Sequence, residues 1–115
     1  MPFNAYIFDL DGTVYLGDAL LPTARETVLE LRSRRARTVF LSNNPAHTRF
    51  DYAQKLTRLG LPTPPHDIIN SSMVFEDFLK QYHAVARHYI IGERPLINEL
   101  RDANLILVDD GDGVW

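Results

Sequence analysis

The chain is 115 residues long, the size of one ordinary domain, and its 45% hydrophobic and 23% charged residues are those of a folded globular protein, which excludes a disordered chain. A net charge of -3 offers no basic footprint for nucleic acid, and no apolar run is long enough to cross a bilayer or to act as a secretion signal. The reading is a cytoplasmic protein that binds neither nucleic acid nor membrane. Without cysteine, disulfides and thiolate-held metals are excluded, so any metal must be held by oxygen or histidine.

Ala5 to Leu10 form a short apolar run of buried-strand type, interrupted by Asp9 near its C-terminal end. From Pro22 onward, Ala24, Val28 and Leu31 recur at helical spacing until RSRRAR, where Arg32, Arg34, Arg35 and Arg37 suit a solvated helix end. Thr38 to Leu41 read as a second buried strand, stopped by Ser42-Asn43-Asn44-Pro45. Asn44 is placed to cap the next helix, with Pro45 at its first position. That helix carries Tyr52, Ala53, Leu56 and Leu59 on one face and stops at Gly60. The proline-rich LPTPPHD is a loop and Ile68-Ile69 a short strand. Val74, Phe75, Phe78, Leu79 and Tyr82 then mark a helix capped by Ser72. His88 to Ile91 form a strand, Leu96, Ile97 and Leu100 a helix, and Leu105 to Val108 a last strand.

This alternation predicts an α/β fold, a mainly parallel sheet with helices on both faces, built as a single domain over residues 1–115. Ligands of such sheets bind outside the carboxyl ends of the strands, where Asp9, Asp11, Ser42 and Asn43 lie.

DLDGT, residues 9–13, admits three readings. It can be a turn that merely stops a strand. It opens like a calcium-binding loop, but the sixth and twelfth positions from Asp9 hold Val14 and Leu20 where Gly and Glu are needed, so that reading fails. Or it is a catalytic pair, one carboxylate attacking phosphorus and the other, two residues on and on the same side of the chain, handling protons. A bound Mg²⁺ would neutralise the phosphate's charge. His47, His66, His83 and His88 share no metal-ligand spacing, and the absence of G-x-G-x-x-G after the first strand argues against a dinucleotide site.

DLDGT after an apolar strand resembles the first motif of the haloacid dehalogenase (HAD) superfamily of phosphatases. GTVYLGDALLPTA, FLSNNPAHTRFDYAQKLTRLG and YIIGERPLINEL resemble its nitrophenyl-phosphatase-like subfamily, whose members hydrolyse small phosphomonoesters. The resemblance implies a Rossmann-like (HAD-like) three-layer sandwich. It makes Asp9 the nucleophile and a Mg²⁺ ligand, and Asp11 the general acid and base, with its backbone carbonyl on the metal. Ser42 and Asn43 become donors to the phosphoryl group, and Gly12 to Leu20 a mobile flap with Gly17 as its flexible point. The family's lysine and its later acidic metal ligands lie beyond a cap domain, before which this chain is expected to end. Lys55 and Lys80, inside predicted helices, are not assigned the lysine's role, and Asp109, Asp110 and Asp112 read as a turn. The resemblance therefore implies a small phosphorylated metabolite as substrate and Mg²⁺ as cofactor. The alternative is a catalytically inactive relative that binds phosphate or acts by association; an exposed sheet edge would allow a homo-oligomer.

Overall fold

The structure, a computed structural model, describes residues 3–108. Two compact units divide it: one takes in the chain up to Ser42 together with Arg49–Ile69, the other Asn43–Thr48 and the chain from Asn70 onward.

In the first unit, β1 (Ala5–Asp9) and β4 (Arg37–Ser42) pair in parallel, in a register running from Ala5 opposite Arg37 to Asp9 opposite Leu41. β5 (Ile68–Asn70) adds to the far side of β4. The parallel α/β arrangement expected from the sequence is therefore present. Strand β1 is less buried than its apolar run suggests, however. Its side chains alternate, with Phe8 turned inward to stack on Phe40 at 5.9 Å between ring centroids while Ile7 remains 69% exposed. Helix α1 (Ala24–Ser33) buries Val28, and α2 (Arg49–Arg58) buries Tyr52, Ala53 and Leu56, the stripe read from helical spacing. These side chains close one core with Leu10, Val14, Tyr15, Phe40, Leu61 and Ile68.

Between β1 and α1 the chain makes a small hairpin, β2 (Tyr15–Leu16) against β3 (Ala19–Leu20). Two residues, Gly17-Asp18, form its loop, and Gly17 has φ 60°, as a two-residue hairpin turn with glycine first requires. The segment expected to be a flap thus has regular structure, too short for a period-2 pattern to reveal.

Three local readings are corrected. Asn44 does not cap α2, which begins only at Arg49; its Oδ1 instead accepts the Ala46 N–H at 3.0 Å, the local side-chain turn that competes with helix initiation. Arg32 is not simply solvated. Its guanidinium donates to the Pro62 carbonyl (2.6 Å), to Thr38 Oγ1 (3.1 Å) and to Thr63 Oγ1 (3.4 Å), pinning the proline-rich loop to the sheet. Arg37 likewise donates to Asp67 at 3.1 Å, just after the loop's prolines, so half of the arginine cluster is structural. Finally, helix α3 (Ser71–His83) is capped by Asn70, whose Oδ1 accepts the Met73 N–H, while Ser72 lies inside the helix and is buried.

The second unit contains α3, β6 (Arg87–Tyr89), α4 (Arg94–Asp102) and β7 (Ile106–Val108). β6 and β7 pair in parallel as a two-stranded sheet of their own. Leu96, Ile97 and Leu100 of α4 close a core with Leu79, Leu105 and Leu107, in agreement with the predicted stripe. Of the apolar positions read on α3, Leu79 is buried, whereas Val74, Phe75, Phe78 and Tyr82 remain exposed, the last two in ring contact at 5.0 Å. Asp109, Asp110 and Asp112, read from the sequence as a turn, lie outside the described residues.

Candidate active site

The paired carboxylates are set by the way DLDGT folds around Leu10. The Leu10 N–H donates to the Leu41 carbonyl at 3.2 Å, carrying the β1–β4 ladder one step past Asp9. The Leu10 carbonyl then accepts the N–H groups of Thr13 (3.1 Å), Val14 (3.0 Å) and Tyr15 (3.3 Å), and the Gly12 N–H donates to the Tyr15 carbonyl at 2.8 Å. So tight a reversal needs a left-handed residue, and Gly12 supplies it at φ 80°. Leu10 is driven fully into the core, while Asp9 and Asp11, one on each side of it, are exposed. The strand alternation that buries Leu10 is what turns both carboxylates outward.

Ser42 ends β4, one residue beyond the partner of Asp9, and is buried. Asn43 follows it in the chain and is grouped with the second unit. The first unit therefore brings together Asp9, Asp11 and Ser42 at the carboxyl ends of adjacent parallel strands.

Two tyrosines, Tyr15 and Tyr52, complete this end of the unit. Tyr15 opens the hairpin and is buried. Burial pushes its phenol well above the ordinary tyrosine range, and the charges of Asp11 and Asp9 and the phenol of Tyr52 add to the effect. Tyr52, from α2, is also raised, first by burial; its hydrogen bond to the Ser42 side chain works against the rise and the charge of Asp11 with it. The Lys55 ammonium stands 4.0 Å above the centroid of the Tyr15 ring, a cation–π contact. The helical stripe that placed Tyr52 in the core gives no sign of where its hydroxyl goes. The one available signal is that a buried phenol needs a partner.

Among the described residues no three histidine or acidic side chains cluster to hold a metal. Mg²⁺, which keeps several waters and takes one or two carboxylates alongside a substrate's phosphate oxygens, suits the hard oxygen donors that Asp9 and Asp11 offer as part of its shell. Two exposed carboxylates at a strand end, with a buried hydroxyl at the end of the neighbouring strand, make an arrangement compatible with displacement at phosphorus.

The family model for haloacid dehalogenase-like hydrolases matches residues 6–106. The chain belongs to the haloacid dehalogenase-like hydrolases. Over 99 residues it is 38% identical to the Bacillus subtilis sugar-phosphatase AraL, a match that covers 86% of this chain and 36% of that protein. Two solved HAD-like structures are also similar. The 4-nitrophenylphosphatase of Thermotoga maritima superposes with a TM-score of 0.85 at 27% identity, covering 97% of this chain and 42% of that one. The glycerol phosphate phosphatase of Mycobacterium tuberculosis, solved in complex with magnesium, superposes with a TM-score of 0.82 at 27% identity, covering 92% of this chain and 32% of that one. The chain thus spans about two fifths or less of the length of these HAD-like relatives. Among the described residues, no helix is long and apolar enough to cross a membrane.

Proposed function

We propose that this HAD-like chain carries the nucleophile half of a Mg²⁺-dependent phosphatase that acts on small phosphomonoesters through an aspartyl-phosphate. The observation that carries the reading is the exposure of Asp9 and Asp11 on either side of buried Leu10, at the strand end beside Ser42. The relatives support the substrate class, being named as phosphatases of sugar phosphates, nitrophenyl phosphate and glycerol phosphate.

In this reading an Asp9 carboxylate oxygen attacks phosphorus and the bond from phosphorus to the ester oxygen breaks. Asp11 delivers a proton to that departing oxygen. It then takes one from the water that attacks the aspartyl-phosphate, returning Asp9 and releasing inorganic phosphate. Ser42 and Asn43 donate hydrogen bonds to the phosphoryl oxygens as their charge grows. Asp9 and Asp11 would hold the Mg²⁺, which when bound offsets phosphate charge so that an anionic carboxylate can approach it.

A second reading, phosphate binding without turnover, is favoured by the placement of the chain's two lysines: Lys55 lies over the Tyr15 ring and Lys80 is paired with Glu76 at 3.2 Å. Phosphate release from nitrophenyl phosphate, with and without Mg²⁺ and beside Asp9→Asn, separates the two. Metal-dependent release that disappears in Asp9→Asn supports the phosphatase. A folded chain that binds phosphate without releasing any from the ester supports the second reading.

A further inference from the structure

We infer that the groove between helix α2 and the proline-rich loop is a docking site for an extended acidic segment of a partner protein, with Arg58 taking a carboxylate and Phe50 an apolar side chain. Asp9, Asp11 and Ser42 do not line this groove, and it does not depend on the phosphatase reading.

The groove lies within the first unit and holds about 450 Å³, the size of an ordinary ligand site. Phe50, Gln54, Thr57 and Arg58 recur at helical spacing and form its α2 wall; Thr63 and Pro65 form the other. This stripe is not the one that buries Tyr52 and Leu56, and Phe50 is left 64% exposed. The two walls are fixed to each other. Thr57 Oγ1 accepts the Thr63 N–H at 3.1 Å and donates to the Thr63 carbonyl at 3.4 Å. Four guanidiniums hold carbonyls along the loop: Arg25 at Gly60 (2.8 Å), Arg32 at Pro62 (2.6 Å), Arg49 at Pro65 (3.0 Å) and Arg37 at His66 (3.4 Å). A site already held in shape costs little ordering when it binds.

Its charge is one-sided. No carboxylate lines the groove, Asp67 at the loop's end is paired with Arg37, and Asp51, in the first turn of α2, lies outside the lining. Among the described residues the side chains of Arg58 and Gln54 make no hydrogen bond, and Arg58 makes no ion pair. A cation at the carboxyl end of a helix suits the dipole and by itself carries no such meaning. Here it shares a groove with the apolar surfaces of Phe50 and Pro65. Phe50 and Arg58 are about 12 Å apart along the helix axis, which an extended chain covers in roughly four residues. A peptide with an apolar and an acidic residue at that separation reaches both, and Gln54, midway, offers its backbone a donor and an acceptor. Nucleic acid fits less well, because its phosphates call for several cations in a row and the lining supplies one.

The test is NMR of the ¹⁵N-labelled full chain, titrated with capped Leu-Ser-Ser-Ser-Glu, with the same peptide ending in Gln or in Lys, and with a short oligothymidylate. The glutamate peptide should give saturable shifts at the amides of Phe50, Gln54, Arg58 and Thr63. The glutamine peptide should bind about twofold to fivefold more weakly, the loss expected for one exposed ion pair. Phe50 and Arg58 are both exposed, so substituting them leaves the core intact. Arg58→Glu should reverse the preference, so that the lysine peptide binds better than the glutamate one. Phe50→Ala should weaken the glutamate peptide about threefold to tenfold, through lost apolar contact. Equal binding of the three peptides, no saturable shift at these amides, unaltered binding by Phe50→Ala, or tighter binding of the oligothymidylate at the same amides overturns the inference. Each of these results leaves the phosphatase reading, tested by ester hydrolysis, as it stands.

Discussion

Asp11 sits two residues beyond Asp9, the proposed nucleophile, exposed like it, and the proposed chemistry asks it to give and then take one proton. Asp11→Asn keeps the shape and removes the exchange, so turnover of nitrophenyl phosphate should fall by roughly 10²–10⁴ while phosphate binding persists. The outward placement of this pair was readable from the sequence because it rests on local rules. An apolar strand, alternation across Leu10 and a glycine at the reversal are all contained within a few residues. Tyr52 and Arg32 were not legible in the same way. A tyrosine in a helical stripe reads as core, and an arginine in RSRRAR reads as solvated. Their partners Ser42, Pro62 and Thr63 are distant in sequence, and only the folded chain brings them together.

At the scale of elements, α3 and α1 show where local chemistry departs from expectation. Asn70 is fully buried, caps α3 through the Met73 N–H, and donates through Nδ2 to the His47 carbonyl at 3.1 Å. Asn70→Ala should therefore cost about 1–2 kcal/mol in urea unfolding, an ordinary cap loss with a second bond added. Ser72 suits a cap by its place before the apolar pattern, but β5 runs through Asn70, so the helix is capped two residues earlier than that pattern implies. Thr23, which precedes α1, holds φ 66°, a left-handed conformation that a β-branched residue adopts only under strain. Asparagine tolerates that region, so Thr23→Asn should stabilise the chain by about 1 kcal/mol, read as a raised urea midpoint at unchanged slope. The type of each helix was clear from its period; their ends were not, because caps and turns are decided by single hydrogen bonds.

At the scale of the whole molecule, the α/β class and parallel pairing followed from alternation alone, whereas the separate β6–β7 sheet did not, since periodicity does not say which strands pair. The two raised tyrosines have a consequence for global stability. Below pH 10 both are protonated in folded and unfolded chains alike. Above it the unfolded chain releases protons that the folded chain keeps, so stability must fall as pH rises through the ordinary tyrosine value. Each phenol contributes up to roughly 1.4 kcal/mol per pH unit there, and Tyr52→Phe should make the alkaline decline shallower. The membership in the haloacid dehalogenase-like hydrolases gives the proposed chemistry its frame, and the claim at its centre is that Asp9 carries the phosphoryl group. The most direct measurement is to quench the chain in acid during turnover of nitrophenyl phosphate in Mg²⁺ and to map any phosphorylated peptide by mass spectrometry. The account predicts a phosphoryl group on the peptide containing Asp9, absent from Asp9→Asn. Phosphate release with no phosphorylated peptide, or with the label on another residue, would contradict it.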